Sequence, residues 1–192
     1  MVRLKIRSMS KQKIIIRSAA ALAVSALLIT GAVQCIKVNR EYPAPEVTAV
    51  EMSQELLIGN GSQAVTVTGF DLKEIDELSP DHSIPFDYKA DSKIALVELT
   101  VKNVSDKPET LDITTPVLTA KGWENGLLLE LFLELNPGYD SEIAPGESIE
   151  VVAPYAMLDY QFKSENWEKI MDEDFSIVFQ VYPEKKYISL HR

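Results

Sequence analysis

The sequence predicts an all-β chain, an antiparallel β-sandwich with one short helix, set behind an N-terminal transmembrane helix. Three observations carry this. Beyond residue 46, apolar side chains recur with period two rather than 3.6. Turn-forming residues interrupt that pattern at short, sandwich-like intervals. Charge also divides sharply around Ser18–Ile36, nineteen residues without a formal charge. Up to Arg40 there are eight Lys or Arg and no acid; from Glu41 onward come all 29 Asp and Glu with the other 11 bases. The net charge of −10 therefore combines a head of +8 and a body of −18. A body this acidic repels phosphate backbones, so nucleic acid is not an expected partner.

The apolar run Ser18–Ile36 has the length of a membrane span. At about 1.5 Å per residue its length is roughly 28 Å as a helix, close to the ~30 Å of a hydrocarbon core. Arg3, Lys5, Arg7, Lys11, Lys13 and Arg17 precede it, and such an excess stays cytoplasmic. The expected organisation is a basic cytoplasmic leader over 1–17, a transmembrane anchor or signal segment over 18–36, a stalk over 37–46 and an extracellular sandwich over 47–192. The run is longer than a usual signal core and lacks a clear small-x-small cleavage site, which favours an uncleaved anchor over secretion after cleavage. Cys35 is the only cysteine, so no intrachain disulfide forms. Lipidation at Cys35 wants a small residue before it, and Gln34 stands there instead. Pro43 and Pro45 favour an extended, stiff stalk. Ala21 and Ser25 form a small-xxx-small pair that would let a second membrane helix approach closely.

In the body, Thr48–Ile58 and Ala64–Leu72 read as strands joined by a hairpin at Gly59-Asn60-Gly61-Ser62. Residues 79–91 form the longest irregular connection. Lys93–Lys102 alternates, with Ala95, Val97, Leu99 and Val101 on one face, and ends in the turn Asn103-Val104-Ser105-Asp106-Lys107-Pro108. Leu111 and Ile113 open another short strand. Leu127–Leu135 also alternates and closes on Asn136-Pro137-Gly138, which predicts a strand despite good helix propensity. Ala144-Pro145-Gly146-Glu147 turns the chain into Ile149, Val151, Ala153 and Tyr155 on a common face. One helix is expected over 164–171, with Ser164 as N-cap and Trp167, Ile170 and Met171 on one side. Phe175, Ile177, Phe179 and Val181, then Tyr187–Leu190, complete about seven or eight strands.

The segment ALVELTVKNVSDKP (95–108), then IAPGES (143–148) leading into a strand, resembles the telokin-like, immunoglobulin-like extracellular proteins of Gram-positive bacteria. That group includes the immunoprotective extracellular proteins and membrane-anchored, uncharacterised members. The resemblance spans roughly residues 60 to 190. It implies an immunoglobulin-like sandwich outside the membrane and supplies no catalytic residues.

The candidates for chemistry are few. His82 and His191 are the only histidines, so a histidine metal site or a Ser-His-Asp triad would rest on His82, beside Asp81 and near Asp87. Cys35 lies at the membrane, which removes a Cys nucleophile from the body. Asp172-Glu173-Asp174, and Asp140 with Glu142, supply carboxylates but not the Asp-x-Asp-x-Asp-Gly loop of a calcium site; weak Ca²⁺ binding at Asp172 or Asp174 is the alternative to a solvated turn. No phosphate-binding glycine motif occurs. Asn60 and Asn103 lie in Asn-x-Ser sequons. Trp123, read as a turn residue, and Tyr139 are the expected partner contacts, with Tyr42 and Tyr88 on other loops. The expected function is thus a membrane-anchored extracellular binding or assembly module, with no catalytic, cofactor or metal residues and an envelope or extracellular protein as partner. Two alternatives stand beside it. One is a surface hydrolase or metal-dependent enzyme using His82; the other is an accessory subunit of an envelope membrane complex.

Overall fold

A computed structural model describes residues 11–78 and 91–191. It forms two units, one ending at Ala44 and the other starting at Pro45. The first is a single helix, α1 (Lys11–Glu41). Its stretch Ala19–Glu41 contains an 18-residue window with a mean hydropathy of 2.0 and none of it buried, and is long and apolar enough to cross a membrane. Thr30 sits inside it without exposing a free hydroxyl, because its Oγ1 donates back to the Ala26 carbonyl at 2.9 Å. The helix continues through Asn39, Arg40 and Glu41, so the expected stalk is shorter than 37–46.

The second unit is a β-sandwich. One sheet has the order β1 (Glu46–Glu51), β11 (Glu184–Leu190), β10 (Phe175–Gln180), β6 (Val117–Ala120), β7 (Trp123–Asn125). The other has the order β2 (Glu55–Ile58), β3 (Gln63–Glu74), β4 (Ser92–Asn103), β9 (Ser148–Leu158). A two-stranded ribbon, β5 (Glu109–Thr110) with β8 (Glu142–Ile143), closes one end. Pairing is antiparallel throughout except between β1 and β11, which run parallel. Between the sheets lie the inward residues of each alternation: Val65, Val67 and Leu72 from β3, Ala95, Val97, Leu99 and Val101 from β4, Val151, Ala153 and Tyr155 from β9, and Phe175 and Ile177 from β10. This is the face the alternation predicts on β4 and β9.

Four sequence expectations are corrected. Thr48–Ile58 is two strands in different sheets, because Ser53 adopts a left-handed φ of 66° and turns the chain from one layer to the other. Leu111 and Ile113 follow β5 rather than forming a strand, yet both are buried. Leu127–Leu135 is not a strand; Leu129–Leu135 is helix α2. Leu128, Leu131 and Phe132 are its buried positions, with Leu135 packed alongside, which is the i, i+3, i+4, i+7 spacing of a helix face. The expected helix over 164–171 shrinks to α3 (Ser164–Trp167) and a separate 3₁₀ turn, Ile170–Asp172. Lys163 holds the N-cap position there, with no side-chain cap, and Met171 is exposed.

The two motifs that carry the family resemblance meet in space. Asn103, at the end of β4, is fully buried. Its backbone N–H donates to the Glu147 carbonyl at 2.9 Å, and its carbonyl accepts from Gly146 N–H at 3.0 Å. Its side-chain amide donates to the carbonyls of Lys107 (2.6 Å) and Ile143 (2.8 Å), while Oδ1 accepts from Ser105 N–H at 2.9 Å. Gly146 has φ of +77°, a conformation that suits glycine. One asparagine thus ties the turn after β4 to the turn before β9, and it is sequestered from any glycosylation machinery in the folded chain.

Candidate functional site

A groove of about 620 Å³ lies on the outer face of the β2-β3-β4-β9 sheet. Helix α2 covers one part of that face. It packs Leu128 and Leu131 on Ile94 and Ala156, the outward residues of paired positions on β4 and β9. The groove occupies the neighbouring part of the same face, walled by the turn Asn136–Asp140 that follows α2.

Local sequence shapes its floor. The β3–β4 register slips between Val67 and Gly69, so Thr68 is an extra residue opposite Glu98. Glu98 lies flat on this bulge: a Cβ at Gly69 would come within 2.5 Å of Glu98 Oε2. Glu98 pairs with Val152 across β4 and β9, and Thr100 with Glu150. Glu98 and Glu150 are therefore diagonal neighbours on one face, with backbones roughly 7–8 Å apart. Asp140 adds a third carboxylate from the wall. By register, Lys102 is the other diagonal neighbour of Glu150, and it makes no ion pair among the described residues.

The backbone of β9 adds a second feature. β9 ends its sheet, so its even-numbered residues turn their N–H and C=O away from β4. From Val152 onward most of these groups are covered. Asn136 Oδ1 accepts from Val152 N–H at 2.8 Å and Asn136 Nδ2 donates to the Val152 carbonyl at 2.9 Å, as a neighbouring strand would. Leu128 N–H donates to the Pro154 carbonyl at 2.9 Å, and Asn125 Nδ2 to that of Ala156 at 2.7 Å. Leu158 N–H donates to Gln161 Oε1 at 3.0 Å. Among the described residues, the N–H and C=O of Glu150 and Ser148 have no such cover.

Tyr139 stands in the groove wall. Its ring meets Phe132 edge-on at 5.0 Å, and its hydroxyl donates to the Leu111 carbonyl at 3.3 Å. Burial, then the charges of Asp112 and Asp140, raises its pKa above the ordinary tyrosine value. Asp112 itself is held below the usual carboxylate range, chiefly by the Thr115 and Thr114 hydroxyls. Trp123 is placed differently from its expected turn: it lies on β7, only 9% exposed. Its ring packs on Phe162 at 5.2 Å and its Nε1 donates to Gln161 Oε1 at 3.3 Å. The Trp123 indole therefore faces the interior, at a different place from the groove. Tyr42 is exposed after α1.

The remaining candidates are dispersed. His82, Asp81, Asp87 and Tyr88 lie outside the described residues. His191 Nε2 is 2.5 Å from Glu51 Oε2. Asp172 and Asp174 border a shallow depression of about 250 Å³, and no cluster of three metal-ligating side chains occurs among the described residues. Cys35 is exposed on α1.

Tyr155 lies in the core, outside the groove lining. Its side chain is fully buried and its hydroxyl has no partner among the described residues. Burial pushes its pKa far above the ordinary tyrosine value. The unfolded chain releases this proton near pH 10 and the folded chain only at higher pH. Its contribution is thus complete below about pH 10 and is lost as pH rises beyond it. Tyr155→Phe is expected to raise stability by about 1–2 kcal/mol at neutral pH, by removing an unpaired buried hydroxyl. It should also flatten the alkaline decline. Urea titrations at pH 7 and pH 10.5 check both; a less stable variant would mean the hydroxyl is paired.

The model of one family, the domain of unknown function DUF5028, matches residues 60–186. The chain belongs to that family. The match covers the sandwich from the β2–β3 turn into β11, and with it both the groove and the Asn103 knot. A search of curated proteins finds no match. Among solved structures, the DUF5028 chain is similar to an uncharacterised β-sandwich protein of Clostridium difficile 630, with 13% identity, 77% of this chain and 96% of that one covered, and a TM-score of 0.47. It is also similar to a conserved hypothetical protein of Bacillus anthracis (17% identity, 71% and 94% covered, TM-score 0.46). A third is MPT63, a secreted protein of Mycobacterium tuberculosis (10% identity, 77% and 99% covered, TM-score 0.43).

Proposed function

We propose that this DUF5028 protein is a single-pass envelope protein of a Gram-positive cell, displaying an immunoglobulin-like sandwich of the telokin-like type outside the membrane as a binding or assembly module. The observation that carries this reading is the division of charge around an exposed apolar run, +6 before Ser18 and −16 after Ile36. The positive head stays inside and the acidic domain is carried out. The groove on the outer face supports a binding role, because it exposes backbone and carboxylates beside the Asn136–Asp140 turn, a surface suited to recognition. The partner is an envelope or extracellular protein.

The test uses the full chain in cells. Protease added to intact protoplasts should digest the sandwich and spare the leader, and crosslinking before detergent extraction should recover a specific envelope protein. A protected sandwich would overturn the topology, and mature N-termini at Val33 or Cys35 would overturn the uncleaved anchor. Repeated crosslinking without a specific envelope protein would overturn the module.

A further inference from the structure

The groove and the strand edge beside it define what kind of segment fits there. From Val152 to Leu158, Asn136, Leu128, Asn125 and Gln161 cover most of the outward groups on the edge of β9. Exposed edges are a liability that folded chains cover or blunt, and here the cover stops at one place. Glu150, with its uncovered N–H and C=O, lines the groove, and Ser148 continues the same edge beyond it; Asn136 already imitates an added strand one pairing step further on. An extended segment lying in line with the Asn136 amide would pair with Glu150 and Ser148 as a further strand, with alternate side chains projecting onto the outer face beside the groove.

Charge selects the occupant. Glu98, Glu150 and Asp140 are exposed and have no cationic partner among the described residues, while Lys102 alone stands near by register. We propose that the groove takes an extended, Lys- or Arg-bearing segment of a partner protein, added as a short strand to the Ser148–Glu150 edge, with its cations against Glu98, Glu150 and Asp140. This rests on the binding-module reading above and names its partner chemistry. Main-chain pairing supplies the affinity in this mode, and alternate side chains supply the choice of sequence. A second copy of this acidic body, or an acidic peptide, is disfavoured by the same carboxylates.

The test measures anisotropy of a fluorescein-labelled Lys-Val-Lys-Val-Lys-Val-Lys peptide with the full chain in detergent micelles, at about 150 mM salt so that distant charges are screened. The peptide should bind. Joint replacement Glu98→Gln and Glu150→Gln should weaken it about tenfold or more, and Glu165→Gln with Glu168→Gln less than about twofold. A peptide N-methylated at alternate residues should lose binding, since it cannot pair with the edge. Because this arm uses the unaltered protein, it decides the question even if a variant fails to fold.

No binding of the cationic peptide, equal binding of the N-methylated peptide, or equal loss from both Gln pairs would overturn the proposal. So would calorimetric Ca²⁺ binding, or dimerisation of the chain, that Glu98→Gln with Glu150→Gln abolishes, since either assigns the groove to another occupant. Specific crosslinking to an envelope protein without peptide binding would overturn the groove assignment alone; failure of the crosslinking would overturn the module itself.

Discussion

Asn103→Ala is expected to lower the stability of the sandwich by about 2–4 kcal/mol, with a Tm drop of roughly 5–12 °C. The substitution removes three side-chain hydrogen bonds at a fully buried position. The consequences are unequal. The Lys107 carbonyl keeps the Ser105 hydroxyl at 2.9 Å as a partner. The carbonyl of the buried Ile143 loses its amide donor with nothing on the Ala side chain to replace it, and an orphaned buried group costs more than a hydrogen bond gains. The loss also loosens the turn before β9, because Gly146 and Glu147 bond to the Asn103 backbone. Thermal denaturation of the full chain followed by near-ultraviolet circular dichroism checks the effect. A drop below about 1 kcal/mol would mean that the knot merely decorates the turn.

Leu27→Arg is the second large effect and concerns the other unit. Leu27 lies mid-way along the apolar stretch of α1 and is exposed. Exchanging Leu for Arg at the centre of a spanning helix costs about 3 kcal/mol on the insertion scale, roughly a hundredfold against membrane integration. The variant should leave the membrane pellet on alkaline carbonate extraction, whereas Leu27→Ile should stay. Equal retention of the Arg variant would mean that α1 does not span.

Much of the sandwich was legible because its signal is local. The alternation of Lys93–Lys102 and of Ile149–Tyr155 reports burial directly, since period two puts every second side chain on one face; the structure buries Val97, Leu99, Val151 and Tyr155 accordingly. The hairpin at Gly59–Ser62 was legible for a similar reason. Gly59, Asn60 and Gly61 all take positive φ there, which few other residues tolerate. Leu127–Leu135 misled because a nearly all-apolar run fits both periods. Its composition held the discriminating signal: Leu and Glu without one β-branched residue favour a helix. Trp123 misled because Gly122 and Gly126 around it suggested a turn, while the β6–β7 pairing holds it in a strand. Tyr139 is legible only as an aromatic near a turn; its edge-on contact with Phe132 depends on α2, where the alternation predicts a strand.

The order of residues alone settles the apolar, charge-flanked segment, the two-residue period of the body and the places where the chain must turn, because each depends on side-chain chemistry within a few positions. It could not show that β1 would run parallel to β11 across more than a hundred residues, or that Asn136 would cover Val152 on a distant strand. Nor could it bring the Asn103 turn onto the Gly146 turn, or place Glu98, Glu150 and Asp140 around one groove. Those juxtapositions arise only when two sheets close on a common core, since burial of many distant side chains together decides which strand edges meet and which remain open.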